Sequence, residues 1–292
     1  MKKETGLSYK WIVLIVASVG SLMGPLDSTI VSVSMPSISD ALQMDYAQTL
    51  WVPTAYLVTI ASILLIIGRV SDIFGKKKIY ISGFAIFAVG SLLCSLAQSG
   101  EQLISFRVIQ GIGASFIMTS GTALVSAAFP PGEQGRALGL NVMAVYLGLA
   151  IGPPLGGILT QSFGWHSIFL VNVPIAIITI ALAVWKLNEC EILDKKVSFD
   201  ISGAIAFAVG LITILLGLTL GNTDGWLSAN VLILVIISII SFVMFIRIEQ
   251  KKGENGLFDL RLFTKNRLFA AANFSAFLNY TACLLYTSDA AD

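Results

Sequence analysis

Gly148-Leu149-Ala150-Ile151-Gly152-Pro153-Pro154-Leu155-Gly156-Gly157 sits inside an apolar segment running from about 137 to 160. Gly148, Gly152 and Gly156 recur at i, i+4 and i+8, so on a helix they form one face without side chains against which a second backbone can lie. Pro153 and Pro154 withdraw two amide donors, and the sequence predicts that a regular helix is interrupted there. Irregular backbone at membrane depth has to be sheltered by protein, so the segment reads as a tightly packed, bent and dry part of a moving membrane machine. The plainer alternative is a kinked membrane helix with a generic small-residue interface.

Composition agrees with a bilayer setting. Hydrophobic residues make up 56% of the 292 residues and charged residues 12%, against the roughly one quarter charged of ordinary soluble domains. Apolar runs long enough for a hydrocarbon core of roughly 30 Å fall near 11–35, 49–70, 79–97, 103–127, 137–160, 167–187, 200–220 and 228–247, and a ninth begins near Leu268. These runs lack the alternating pattern of membrane strands, so the expected fold is an all-α membrane bundle.

The 18 Lys and Arg residues cluster on alternate connections. Lys2, Lys3 and Lys10 precede the first run; Arg69 and Lys76 to Lys78 follow the second; Arg136 follows the fourth. Lys186, Lys195 and Lys196 follow the sixth, and Arg247, Lys251, Lys252, Arg261, Lys265 and Arg267 follow the eighth. The intervening loops have none, which predicts a cytoplasmic amino terminus in the cell membrane. The first run carries Asp27 and lacks a small-residue cleavage site, so it reads as a retained helix.

Several chemistries are excluded. Cys94, Cys190 and Cys283 show neither disulfide nor metal spacing. Val70 occupies the position where a phosphate-cradling loop ending in Gly75-Lys76 needs its first glycine. Gly111-x-Gly113 has Phe116 where a dinucleotide fingerprint needs a third glycine. No enzymatic activity, metal, cofactor or nucleic-acid partner is expected, which leaves an ion gradient as the energy source.

Asp27 and Arg107 are the two ionisable residues well inside spans, where a charge costs at least roughly 2.5–3.5 kcal/mol. Asp27 is expected about 12 Å below the outward end of the first span at 1.5 Å per residue, and Arg107 enters the fourth from the same side. Protonation is the chemistry such a carboxyl offers, and a cation that approaches or withdraws changes its proton affinity. A fixed pairing of Asp27 with Arg107, Ser28 or Thr29 that only sets helix packing is the competing reading. Pro25, two residues earlier, is expected to loosen the helix. A second constellation, Gly68-Arg69-Val70-Ser71-Asp72-Ile73-Phe74-Gly75-Lys76-Lys77-Lys78, reads as an electrostatic latch, with simple positive-inside anchoring as the alternative. His166, the lone histidine, reads as a solvated or capping loop residue.

These stretches together resemble the major facilitator superfamily, and within it the fourteen-helix drug:proton antiporters. Residues 68–79 look like the loop signature between helices two and three, Arg107-x-x-Gln110-Gly111-x-Gly113 like that of helix four, and Gly148 to Gly157 like the antiporter signature of helix five. Leu26-Asp27-Ser28-Thr29-Ile30-Val31 with Pro36 resembles the first-helix signature, and Phe169-x-x-Asn172-Val173-Pro174 the entry to helix six. Ser32 stands where the group usually has Asn, and Trp165-His166-Ser167 replaces Trp-Arg-Trp.

The resemblance implies a six-helix amino-terminal bundle over 1–187, a charged linker and two inserted helices over 188–250, and over 251–292 a loop and the partial first helix of a second bundle. The chain is read as a truncated amino-terminal fragment whose carboxy-terminal half is missing, with 284–292 foreign to the family pattern and frayed. The implied activity is alternating-access export of drugs or other amphipathic or cationic small molecules in exchange for protons. Asp27 and Arg107 would couple protons; Met23, Thr29, Gln110, Met143 and Tyr146 would line the substrate cavity. Gly68, Asp72, Gly75, Lys76 and Lys77 would gate through contacts to the second half, and Gly148, Gly152, Pro153, Gly156 and Gly157 would form the antiporter helix. Alternatives are an exporter or importer of one metabolite, or an inactive membrane packing module.

Overall fold

The computed structural model describes residues 8–189, 200–253, 256–258 and 261–289. Among these, eleven helices follow in order: α1 (Tyr9–Leu42), α2 (Tyr46–Phe74), α3 (Lys76–Ser95), α4 (Gly100–Ala128), α5 (Gln134–Phe163), α6 (Ser167–Leu170), α7 (Asn172–Lys186), α8 (Ile201–Asp224), α9 (Ala229–Lys252), α10 (Arg261–Lys265) and α11 (Arg267–Asp289). Eight spans are long and apolar enough to cross a membrane, with α6 and α7 together forming one of them. The ninth run gives α11, apolar over Arg267–Leu278. Fraying was expected over 284–292; α11 runs to Asp289, and 290–292 lie outside the described part. Lys2, Lys3, Cys190, Lys195, Lys196 and the last three residues lie outside the described part.

The prolines do not break the helices as expected. α5 runs unbroken through Pro153 and Pro154, and α1 through Pro25 and Pro36. α1 lies against the Gly148, Gly152 and Gly156 face of α5 while Pro153 and Pro154 are exposed, so packing on one side overrides local propensity. The one interrupted span is the sixth, where α6 stops at Leu170 and α7 restarts at Asn172. Pro174 has no amide to donate to the Leu170 carbonyl, which removes the rung at that joint.

Glycine sets how closely the helices approach. A methyl on Gly148 would stand 2.5 Å from the Leu22 carbonyl oxygen, one on Gly156 would stand 3.0 Å from that of Ile30, and one on Gly152 would overlap the Thr29 hydroxyl. The glycine stripe of α5 therefore lies directly on α1. Gly157 faces open space and takes no part. Asn141 accepts from Ser21 at 3.0 Å on one side of the stripe, and Ser34 bonds Thr160 at 2.7 Å on the other, so α1 and α5 are pinned as one unit. Gly113 does the same between α3 and α4, where an added methyl would meet the Phe87 backbone, its Cα at 2.7 Å.

The basic connections gather at one end. Lys10 pairs with Glu133 at 2.5 Å, and the Asn188 amide donates to the Tyr9 hydroxyl at 3.0 Å. α8 and α9 pack as a hairpin, with the Ser238 hydroxyl donating to the Gly210 carbonyl at 2.8 Å. This hairpin leans on α2 near Leu65 and Ile66. Its basic end is clamped by Asp200, which accepts from Gly203 N at 2.8 Å and Lys252 at 2.6 Å. Burial by itself raises the Asp200 carboxyl, but the Gly203 amide, Lys252 and Ser202 outweigh it and hold the group below the usual carboxylate range.

Filling a close glycine contact should overpack the bundle. Gly113→Ala is expected to lower stability by about 1–3 kcal/mol, whereas Gly139→Ala, which meets nothing within 4 Å, should be neutral. Thermal unfolding of the full-length protein in detergent distinguishes the two.

Candidate functional site

Asp27 lies near the middle of α1, which extends to Leu42, so it is about 22 Å from that end rather than 12 Å. The carboxylate is 1% exposed and faces the interior of the six-span bundle, between the apolar cluster of Met23, Tyr56 and Phe87 and that of Leu26, Val52 and Phe169.

Three donors converge on it from two other spans. Arg107 Nη1 reaches Oδ2 at 2.5 Å, while Gln110 Nε2 at 2.8 Å and Asn172 Nδ2 at 2.7 Å both donate to Oδ1. Arg107 and Gln110 are one helical turn apart on α4 and therefore share a face. They also bond each other, Arg107 Nη1 donating to Gln110 Oε1 at 2.6 Å. Gln110 Nε2 reaches on to Ser91 on α3 at 2.8 Å. Arg107 Nε points to the Val52 carbonyl at 3.4 Å, and its guanidinium carbon stands 4.0 Å from the centre of the Tyr56 ring. Arg107, Gln110, Asn172 and Ser91 are all fully buried.

Such a pair recovers its large desolvation cost only through good geometry and further hydrogen bonds. Two buried atoms nevertheless lack partners, Arg107 Nη2 and Asn172 Oδ1. A purely structural network is normally satisfied throughout. The site is thus strongly bonded at the carboxylate and under-satisfied one atom further out.

Tyr56 separates this network from a cavity of about 240 Å³ lined by Pro25, Ser28, Tyr56, Ile60, Met118 and Leu149. The other expected cavity residues are dispersed. Met23 is fully buried in the apolar core and presents no surface to a ligand. The Thr29 hydroxyl donates to the Pro25 and Leu26 carbonyls and faces Gly152, so it belongs to the α1–α5 contact. Gln110 is committed to the ion pair. Met143 and Tyr146 lie half-exposed on α5, with Met143 bordering an apolar recess beside Leu22 and Leu147.

The loop signature engages its own bundle. Lys77 Nζ donates to the Leu187 and Val184 carbonyls at 2.6 and 3.1 Å, and the Lys77 amide donates to Glu189 Oε1 at 3.1 Å. A cation thus caps the carboxyl end of α7 and an anion the amino end of α3, each favourable to its helix dipole. Gly75 has a φ of +100°, and a methyl there would lie 2.5 Å from Glu189. Gly68 is in ordinary contact with Thr119. Asp72 and Lys76 form no ion pair among the described residues. His166 is exposed at the start of α6 and stacks on Trp165 with centroids 3.8 Å apart, without a side-chain capping bond.

The family model described as Major Facilitator Superfamily matches residues 17–202, well over half of the chain. The chain belongs to the Major Facilitator Superfamily. Its sequence is 37% identical to the riboflavin transporter RibZ of Clostridioides difficile (strain 630), over 91% of this chain and 57% of that protein. It is 36% identical to the methylenomycin A resistance protein of Bacillus subtilis (strain 168), over 94% and 58%, and 34% identical to multidrug resistance protein 3 of the same organism, over 89% and 50%. The chain therefore spans about half the length of these relatives. The crystal structure of a bacterial homologue of the human lysosomal transporter Spinster, inward-facing and occupied, superposes with a TM-score of 0.57 at 18% identity, over 82% of this chain and 61% of that one.

Tyr56 and Ser91 join this candidate site without having stood out in the sequence, and Asn172 had stood out only as part of the helix-six signature. Asn172 carried a signal, since it is the one strongly polar side chain in the apolar run 168–182 apart from Thr179. Removing one partner of the buried pair should be far worse than removing both. Arg107→Leu is expected to cost about 3–5 kcal/mol at neutral pH, and Asp27→Leu/Arg107→Leu much less. Denaturation of both full-length variants, relative to wild type, checks this.

Proposed function

We propose that this chain is the amino-terminal half of a fourteen-helix drug:proton antiporter in the cytoplasmic membrane, with its amino terminus inside and the second six-helix bundle encoded beyond it. The observation that carries the reading is the buried Asp27–Arg107 pair at mid-span. Charge placed there is expensive and marks ion pathways. In the proposed cycle, a proton arriving from outside neutralises Asp27, Arg107 is released from it, and an amphipathic substrate leaves outward as the two halves rock. Asp27 and Arg107 couple the proton. Tyr56, stacked on Arg107 and lining the adjoining cavity, conveys the change to the substrate side.

The rigid α1–α5 unit carries Asp27 through this motion, so the glycine stripe keeps the acid dry while its surroundings change. Asp72 and Lys76, without ion partners among the described residues, are proposed to meet the second bundle in one access state. Residues 1–187 form the amino-terminal bundle, 188–250 the linker and inserted pair, and 251–292 the entry to the second bundle. Resistance proteins among the relatives favour drugs as cargo. The relative named as a riboflavin transporter favours a second reading, transport of one specific metabolite.

The test is transport by full-length protein in proteoliposomes under an imposed proton gradient, with a panel of cationic dyes and riboflavin. Dye counterflow driven by the gradient supports drug antiport; movement of riboflavin alone supports the second reading. Asp27→Asn, which keeps shape and removes titration, is expected to abolish gradient-driven counterflow while the protein stays folded. Undiminished pH-driven transport in that variant would refute the role of Asp27.

A further inference from the structure

We infer that Asn172 reads the protonation state of Asp27, donating to the carboxylate and turning over to accept from the acid, and so conveys that state from α1 to the interrupted sixth span. This rests on Asp27 being the coupling acid proposed above.

The three donors on Asp27 differ in what they can do once a proton arrives. Arg107 carries only donors and can never accept from a protonated carboxyl. Gln110 is fixed in one orientation, because Oε1 accepts from Arg107 at 2.6 Å while Nε2 donates to Asp27 and Ser91, both at 2.8 Å. Turning it would set an amide N–H against the guanidinium. Asn172 has no such commitment. Its Nδ2 donates to Asp27 Oδ1 at 2.7 Å, and its Oδ1 has no partner although the residue is fully buried.

A buried polar atom without a partner costs roughly 1–3 kcal/mol. The charge on Asp27 therefore imposes this orientation on the amide. When Oδ1 of Asp27 gains a proton it becomes a donor, and rotation of the amide presents the idle carbonyl to it. The proton stays on Asp27; Asn172 exchanges only its hydrogen-bond role.

The position of Asn172 turns this exchange into a mechanical signal. It is the first residue of α7, directly after the interruption at Val171 and two residues before Pro174. The span lacks a backbone rung there, so a changed side-chain bond acts on a joint rather than on a rigid rod. The other groups that face Asp27 are Arg107 on α4, Tyr56 on α2 and Cys94 on α3. α5 meets α1 through its glycines, and α6 contributes Phe169 to the apolar surroundings.

The experiment is infrared difference spectroscopy of the full-length protein in lipid during pH steps, paired with pH profiles of dye counterflow. The Asp27 carboxyl band is assigned by its loss in Asp27→Asn, and the Asn172 amide carbonyl band by its loss in Asn172→Ser or Asn172→Leu. In wild type, both bands should move with the same pH midpoint, the amide shifting as its carbonyl gains a donor. In Asn172→Leu, Asp27 should still titrate, while the pH dependence of counterflow flattens by roughly tenfold, the size of one buried hydrogen bond to a charged group. An amide band that stays still while Asp27 titrates overturns the inference, as does a wild-type pH profile in Asn172→Leu. An Asp27 that never titrates in wild type overturns the coupling reading itself, so the two failures are distinguishable.

Discussion

A carboxylate and a guanidinium facing each other in a dry interior are the constraint around which the six-span bundle is arranged. Neither charge is tolerable alone at that depth, and together they still need every available donor. Four spans meet that need: Asp27 from α1, Arg107 and Gln110 from α4, Ser91 from α3 and Asn172 from α7. The apolar clusters above and below exclude water and make the pairing strong. Bonds of this kind are strengthened by a low local dielectric, which also penalises each atom left unpaired.

Close helix approach is what permits the pair to exist. α1 is drawn onto α5 by Gly148, Gly152 and Gly156, and α3 onto α4 by Gly83, Gly90 and Gly113. Side chains at these positions would spread the helices and open the centre to lipid or water. The same contacts pin α1 to α5, while the sixth span is interrupted at Val171. A buried acid on a pinned element, bonded to an amide beside a joint, is the arrangement on which the proposed coupling rests.

Much of this was legible in the sequence. Span boundaries followed from apolar length, and the glycine spacing marked a close-packed face because helical geometry puts i, i+4 and i+8 on one side. Asp27 and Arg107 stood out because charge is rare inside apolar runs, although their contact depended on how α1 and α4 pack. Continuity through Pro25, Pro153 and Pro154 was not legible, since tertiary packing decides whether a proline breaks a membrane helix. That Met23 is buried and Thr29 faces Gly152 was not legible for a related reason: facing direction depends on helix rotation, which a single sequence does not reveal. Lys77 read as one half of a latch between bundles, but its ammonium binds carbonyls at the end of α7, a partner that no side-chain pattern announces. Asn172 was visible as part of a motif, yet its role appears only when α7 is seen beside α1.

The most direct measurement is the Asp27–Arg107 separation in cryo-electron microscopy maps of the full-length protein, in lipid, at one pH where Asp27 is ionised and one where it is protonated. The proposed cycle predicts contact near 2.5 Å in the first and, in the second, separation beyond hydrogen-bond reach with water at the carboxyl. A pair that stays closed and dry at both would reduce it to a structural tether and contradict its role in moving protons.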